Sequence, residues 1–169
     1  MNFKTLNDVK PEVVTYLAGN ASTVAIVAGN PVCLSMNGTD DGHDVEELSS
    51  SSVTSAHSFF IGIAVAGIPA AGRAEVTVSG FARNVNILRG TRAASTDTWA
   101  TTPAIALGDV LLPNTVGNAL SRSTAGAATV ANARAVAMGT AASVATAAST
   151  TSETGLRRIT TMNVWLRSM

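Results

Sequence analysis

The chain has 169 residues, 11 basic and 11 acidic side chains, and a charged fraction of only 13%. This balance excludes the basic footprint of a nucleic-acid binder and the cationic patch of a membrane-surface protein. Aromatic residues make up 4%, so the core must be built largely from Ala and Val, which bury less area per residue than Leu or Phe.

The first twenty residues have weak patterning and read as an N-terminal arm. MNFKTLNDVK has no apolar run, which predicts no secretory signal. From residue 21 the chain reads as one mainly β domain, 21–169. Ala25–Ser35 (AIVAGNPVCLS) predicts strand, turn, strand, with Gly and Asn at the bend. Cys33, the only cysteine, has no partner for an internal disulfide or a thiolate metal site. Met36–Ala56 is a long polar loop with a serine run and the acidic stretch NGTDDGHD. Its Asp40, Asp41, His43 and Asp44 are the densest set of metal-ligand side chains. The spacing departs from an EF-hand and no second histidine lies near, so the set reads first as a solvated acidic turn.

FFIGIAVAGIPAAGRAEVTVSG, from Phe59 to Gly80, is the most apolar stretch. Its uninterrupted part, Phe59 to Ala71, falls short of the roughly 20 residues a membrane helix needs and contains Gly67 and Pro69. Period-2 alternation predicts a hairpin. Phe59, Ile61, Ile63 and Val65 form the expected core face, and Gly62, Ala64 and Ala66 the opposite face. That second face is too small to make a core layer alone, so it packs closely on a second sheet or on another subunit. Pro69 and Gly72 supply the turn.

Arg89–Pro103 is a Thr- and Ser-rich connection. Ala104–Pro113 (AIALGDVLLP) then repeats the earlier strand–turn–strand grammar: aligning Gly29 with Gly108 pairs Asn30 with Asp109, Val32 with Leu111 and Cys33 with Leu112. Phe60–Val65 corresponds to Ala133–Met138, and Ala74–Ser79 to the closing strand Ile159–Arg167. The expected architecture is a compact β-barrel or β-sandwich made of two divergent β-units, about 21–88 and 104–169, with long polar loops. Gly139–Gly155 is a small-residue insertion before the last strand. In that strand Thr160, Met162, Val164 and Leu166 share one face, and Thr161, Asn163, Trp165 and Arg167 the other.

No P-loop, G-x-G-x-x-G or G-x-S-x-G motif occurs, and His57 has no motif that would place it as a base, so the expectation is a protein that is not an enzyme and uses no cofactor. Trp165, beside Arg167, reads equally as an interface anchor or as a ring lying flat over a barrel end, and Trp99, in a polar loop, needs burial from another element or another subunit. Arg157 and Arg158 form a basic pair that reads first as solvated and otherwise as a contact for an acidic partner surface.

The pattern strand, AGNPV, polar loop, FIGIAVAGIPAAGRAEVTVSG resembles the head-decoration, or cement, proteins of tailed bacteriophages. ALGDVLL and the closing MNVWLR extend the likeness more loosely into the second half, over about two thirds of the chain. The resemblance implies a non-enzymatic β-rich virion protein on the outer surface of the capsid, assembled in the host cytoplasm. It implies the major capsid protein and further copies of itself as partners, as a homotrimer or a dimer, with no nucleic acid or membrane involved. Under this reading the arm contacts the capsid, and Phe3, Val13 and Tyr16 join Trp99, Arg157, Arg158 and Trp165 as candidate contact residues. A tail or neck component and a carbohydrate-binding β-module are the alternatives. The second suffers from having only two Trp and one Tyr.

Overall fold

The computed structural model describes residues 13–35, 43–47, 60–91, 104–114, 118–122, 135–141, 153–154 and 157–167, and these contain strands and no helix. The strands are β1 (Val14–Asn20), β2 (Pro31–Leu34), β3 (Asp44–Glu47), β4 (Phe60–Ala64), β5 (Arg73–Thr91), β6 (Val110–Asn114), β7 (Ala119–Arg122), β8 (Ala135–Ala137), β9 (Glu153–Thr154) and β10 (Arg157–Leu166).

The pairings follow the order β1-β3-β2-β4-β5, and β1 pairs back to β5. This closes a five-stranded β-barrel, ring 1. The sheet continues as β5-β7-β6-β8-β10, and β10 pairs back to β5, closing a second ring of five. The long β5 belongs to both. Its first part, Arg73 to Ser79, lies against β1, and the stretch from Gly80 to Thr91 lies against β10. Positive φ at Gly80 (91°) and Asn84 (52°) bends the strand where it passes from one ring to the other.

The rings share one topology. Each holds a single parallel pair, β1 with β3 and β5 with β7, among antiparallel ones. In ring 1 the Gly29 N–H donates to the Ala64 carbonyl (2.9 Å) and the Ala64 N–H to the Asn30 carbonyl (3.0 Å). In ring 2 Gly108 donates to Ala137 (2.9 Å) and Ala137 to Asp109 (2.8 Å). Gly29 and Gly108 take the same left-handed conformation, φ 84° and 88°. Ile26 bridges Ile68 across ring 1 as Ile105 bridges Ala141 across ring 2. The glycines that align in the sequence therefore hold equivalent places in space.

The narrow interior explains the Ala- and Val-rich composition, because a five-stranded barrel has little room for side chains. Ring 1 encloses Ala18, Val32, Val45, Ile61, Ala64 and Val76, with Ile26 and Ile68 also buried in this core. A second cluster holds Val85, Ile87, Leu111, Leu120, Val164 and Leu166 of ring 2 together with Cys33, Phe60 and Ile63 of ring 1. The hydrophobic core thus runs across the boundary between the rings.

Several expectations are corrected. The last seven residues of the expected arm are β1, whose Ala18 is fully buried; the strand is held by pairing on both edges rather than by a strong apolar pattern. The polar loop Met36–Ala56 contains β3, in which Val45 is the one fully buried residue. The connection from Arg89 begins as the end of β5, and Glu153–Thr154 of the later insertion form β9. The hairpin forms, with Ile63 opposite Thr77 and Ala64 opposite Val76. Its faces differ from the simple alternation, because a register shift against Val32 and Cys33 displaces β4. Phe60 to Ala64 are all buried, whereas Val65 and Ala66 are exposed; Phe59 lies outside the described residues. Gly62 is needed because a Cβ there would come within 2.2 Å of the Thr77 carbonyl oxygen. Of the small face, Gly62 thus packs on the adjacent strand and Ala64 lies in the ring 1 core, whereas Ala66 is exposed. In β10, Met162, Val164 and Leu166 point inward and Thr161 and Asn163 outward, and Arg167 just beyond its end is exposed.

Candidate functional site at the seam between the rings

The turn entering β2 places Asn30, 6% exposed, against β3. Its Nδ2 donates to Glu47 Oε1 at 2.7 Å. Its Oδ1 accepts from Asn86 Nδ2 of β5 at 2.7 Å, and the same Asn86 amide donates to the Ala28 carbonyl at 3.1 Å. Asn118, held at positive φ just before β7, donates to Glu47 Oε2. Four side chains from residues 30, 47, 86 and 118 therefore form one chain of hydrogen bonds. Two come from ring 1 and two from the ring 2 side of the seam. Hydrogen bonds to a carboxylate are the stronger kind, so Glu47 is the electrostatic centre of this link.

Beside the network lies a cleft of about 620 Å³ whose walls include Val13, Ile63, Val65, Phe81, Arg83 and Asn84. Arg83 is the one charged side chain lining it among the described residues. Its guanidinium stands 5.7 Å from the centre of the Phe81 ring, a cation–π distance. Thr15, Thr77, Asn86 and Thr161 also line it, so the cleft combines apolar and neutral polar groups around a single cation. The described residues place no nucleophile–base pair in it.

Ring 2 builds the equivalent corner differently. Asp109 Oδ2 accepts from the Ala106 N–H at 2.8 Å and from Arg122 Nε at 3.0 Å, and Arg122 Nη1 donates to the Ala104 carbonyl at 2.9 Å. A second polar knot closes the far end of ring 1. Asn20 Nδ2 donates to the carbonyls of Val24, Ile68 and Pro69, and its Oδ1 accepts from the Ser22 N–H.

The candidate residues disperse over this frame. Val13 is 46% exposed and lines the cleft. Tyr16 is half-buried on β1; its hydroxyl is buried with no hydrogen-bond partner, and burial, then the charge of Asp44, raises its pKa. Trp165 is half-buried on β10, paired with Phe81 on one side and Val136 on the other. The backbones of Arg157 and Arg158 pair with both β5 and β9. Phe3, Trp99 and His57 lie outside the described residues, as do Asp40 and Asp41. His43 is exposed and Asp44 half-buried, with its carboxylate lying over Gly19. Among the described residues no group of three or more His, Cys, Asp or Glu converges on one point.

Sequence reasoning missed Glu47, Asn86 and Asn118 as functional positions, because their partners are dispersed along the chain. The available signal was the Asn30–Asp109 alignment, which marks a polar residue at the same turn in both units.

No protein-family model, curated protein or solved structure matches this chain.

Proposed function

We propose that the chain is a structural virion protein that decorates and cements an icosahedral phage capsid by bridging major capsid protein subunits from the outer surface. The observation that carries this reading is where the cement-like segment sits. The turn at Gly29–Pro31, strand β4 and the first part of β5 are the spine of ring 1, and their structural equivalents recur in ring 2. The likeness thus falls on the residues that determine the fold.

Two features support a binding scaffold. Ring closure leaves few unpaired strand edges, which suits a protein packed in many copies without edge-to-edge aggregation. The polar side chains at the seam, Asn30, Glu47, Asn86 and Asn118, are engaged with one another in holding the rings together. Weak contacts repeated over a lattice are enough for tight attachment.

The test is addition of the purified protein to expanded heads that lack it, followed by heating and measurement of genome release. Saturable binding with a higher release temperature is the expected result. Absence of binding to heads at any added concentration sinks the proposal.

A further inference from the structure

The cleft beside the seam opens where the chain enters β1. Thr15, Thr77 and Ile63 stand side by side on β1, β5 and β4 and line it, with Val13 one step along the same face of β1. The elbow of β5, Phe81 to Asn84, supplies much of the rest. The ladder between β1 and β5 stops at the pair Val14–Ser79, and at Gly80 (φ 91°) β5 turns away into the elbow. The chain that leads into β1 therefore arrives beside the elbow, with Val13 already on the cleft wall.

Residues 1–12 lie outside the described residues. Their sequence carries the strand pattern onward: Asp8, Lys10 and Glu12 alternate with Val9, Pro11 and Val13. In an extended chain this puts Val9 and Pro11 on the side of Val13 and Thr15, the side that lines the cleft, and the charged residues on the other. Pro11 has no N–H, so leaving the β5 ladder here strands no donor at that position. Proline also holds the residue before it, Lys10, extended. Val9–Glu12 matches the elbow Phe81–Asn84 in length.

The cleft suits this segment in surface and in charge. Val13 and Val65 on its walls are 46% and 52% exposed. Arg83 contacts the Phe81 ring, and no carboxylate pairs with it among the described residues. Asp8 and Glu12 against Lys10 give the segment a net charge of −1, opposite in sign to that cation.

We infer that Val9–Glu12 lie in the cleft of their own chain, with Val9 and Pro11 turned to its wall along the β5 elbow and the acidic side chains outward beside Arg83. The segment straps ring 1 to the elbow and adds a third link at the seam, alongside the polar network and the shared core. Its apolar contact is small, but the short tether to Val13 makes docking intramolecular, so a weak contact is enough. The inference concerns how the arm sits on its own domain and stands apart from the capsid reading.

The test uses the full chain carrying Cys33→Ala and Arg83→Cys. One further cysteine replaces Val9, Lys10, Pro11 or Glu12 in turn, and circular dichroism checks that each variant is folded. Under mild oxidation in dilute solution, the Val9→Cys and Pro11→Cys variants should close an internal disulfide several-fold faster than Lys10→Cys and Glu12→Cys. Rates that change smoothly along the four positions report only the tether and overturn the proposal. Disulfides that form mainly between copies, at a rate that rises with concentration, overturn the assignment to the same chain. A second measurement keeps Arg83: hydroxyl-radical labelling of Val65 and Phe81 should rise several-fold in the double variant Val9→Asp, Pro11→Asp and stay at the wild-type level in Lys10→Ser. Unchanged labelling in the double variant, or an equal rise in Lys10→Ser, also overturns it.

Discussion

Glu47 and Arg122 hold equivalent positions in the two rings and carry opposite charge. Glu47 pairs across the ladder with Val32, and Arg122 with Leu111, the aligned first core residues after each glycine turn. In ring 1 the turn residue is an amide that donates to the strand carboxylate; in ring 2 the turn residue is the carboxylate and the strand supplies the guanidinium. The cross-strand link is retained while its chemistry is reversed. The two carboxylates are also used differently: Asp109 takes its bonds from Ala106 and Arg122 both on Oδ2, whereas Glu47 accepts from Asn30 on Oε1 and reaches across the seam to Asn118 with Oε2.

Replacing Glu47 by Ala removes the acceptor of both Asn30 and Asn118. Because Asn30 is buried, its amide is left unsatisfied, at a cost of about 1–3 kcal/mol. Arg122→Ala breaks a pair whose side chains are 39% and 20% exposed, and such a pair contributes roughly 0–1 kcal/mol. Urea unfolding should therefore rank Glu47→Ala as clearly more damaging. Equal losses would show that the network does not hold the seam.

The two left-handed glycines separate conformational strain from packing. At Gly108 a methyl group meets no atom of the described residues within 4 Å, so Gly108→Ala should cost only the left-handed backbone term, about 1–2 kcal/mol. Gly29→Ala bears the same term and also drives its Cβ into the Asn84 carbonyl. It should be the more destabilising by a margin visible in thermal unfolding, and it should open the seam. Matching midpoints for the two variants would contradict the contact between Gly29 and the β5 elbow.

How far this was legible follows from where the information lies. The Gly29–Gly108 alignment was readable because a turn needs positive φ at one residue, and that demand stays local. Strand β10 was readable because Met162, Val164 and Leu166 alternate cleanly. Strand β3 was not, since Asp44–Glu47 offers one apolar residue and depends on pairing with β1 and β2 on its two edges. The inward set of β4 was misassigned because a register shift in the partner pairing has no signature in FIGIA itself. The Glu47 network draws on residues 30, 86 and 118, and nothing short of the folded topology brings these together.

Cys33 supplies a pH signature. Burial, then the charge of Glu46, pushes its thiol up from 9.0 to about 12. Between these values the unfolded chain has lost the thiol proton while the folded chain keeps it, so the folded state binds more protons. Stability attributable to this group is complete below about pH 9 and falls as pH rises toward 12, by at most about 1.4 kcal/mol per pH unit. The raised pKa of Tyr16 acts in the same direction above pH 10. Denaturation midpoints across this alkaline range should decline less in Cys33→Ala than in the wild type. A parallel decline would place the loss elsewhere. In native protein near pH 8 the thiol should react with an alkylating reagent only as fast as the structure opens.

Phe60 and Ile63 lie on a ring 1 strand, yet they are buried in the cluster that contains Val85, Leu111, Leu120 and Val164. Because one core spans the seam, the rings should unfold together in a single transition. Phe60→Ala should cost about 3–5 kcal/mol, the range for a buried phenylalanine. Its cavity opens at the junction rather than inside either ring, so it also weakens what couples them. Val76→Ala, by contrast, removes a fully buried side chain from the ring 1 cluster alone. Both variants should lower the midpoint, but only Phe60→Ala should broaden or split the transition when unfolding is followed by amide exchange in each ring. If Phe60→Ala keeps one sharp transition with equal protection loss in both rings, the seam is held chiefly by the polar network and the shared strand β5.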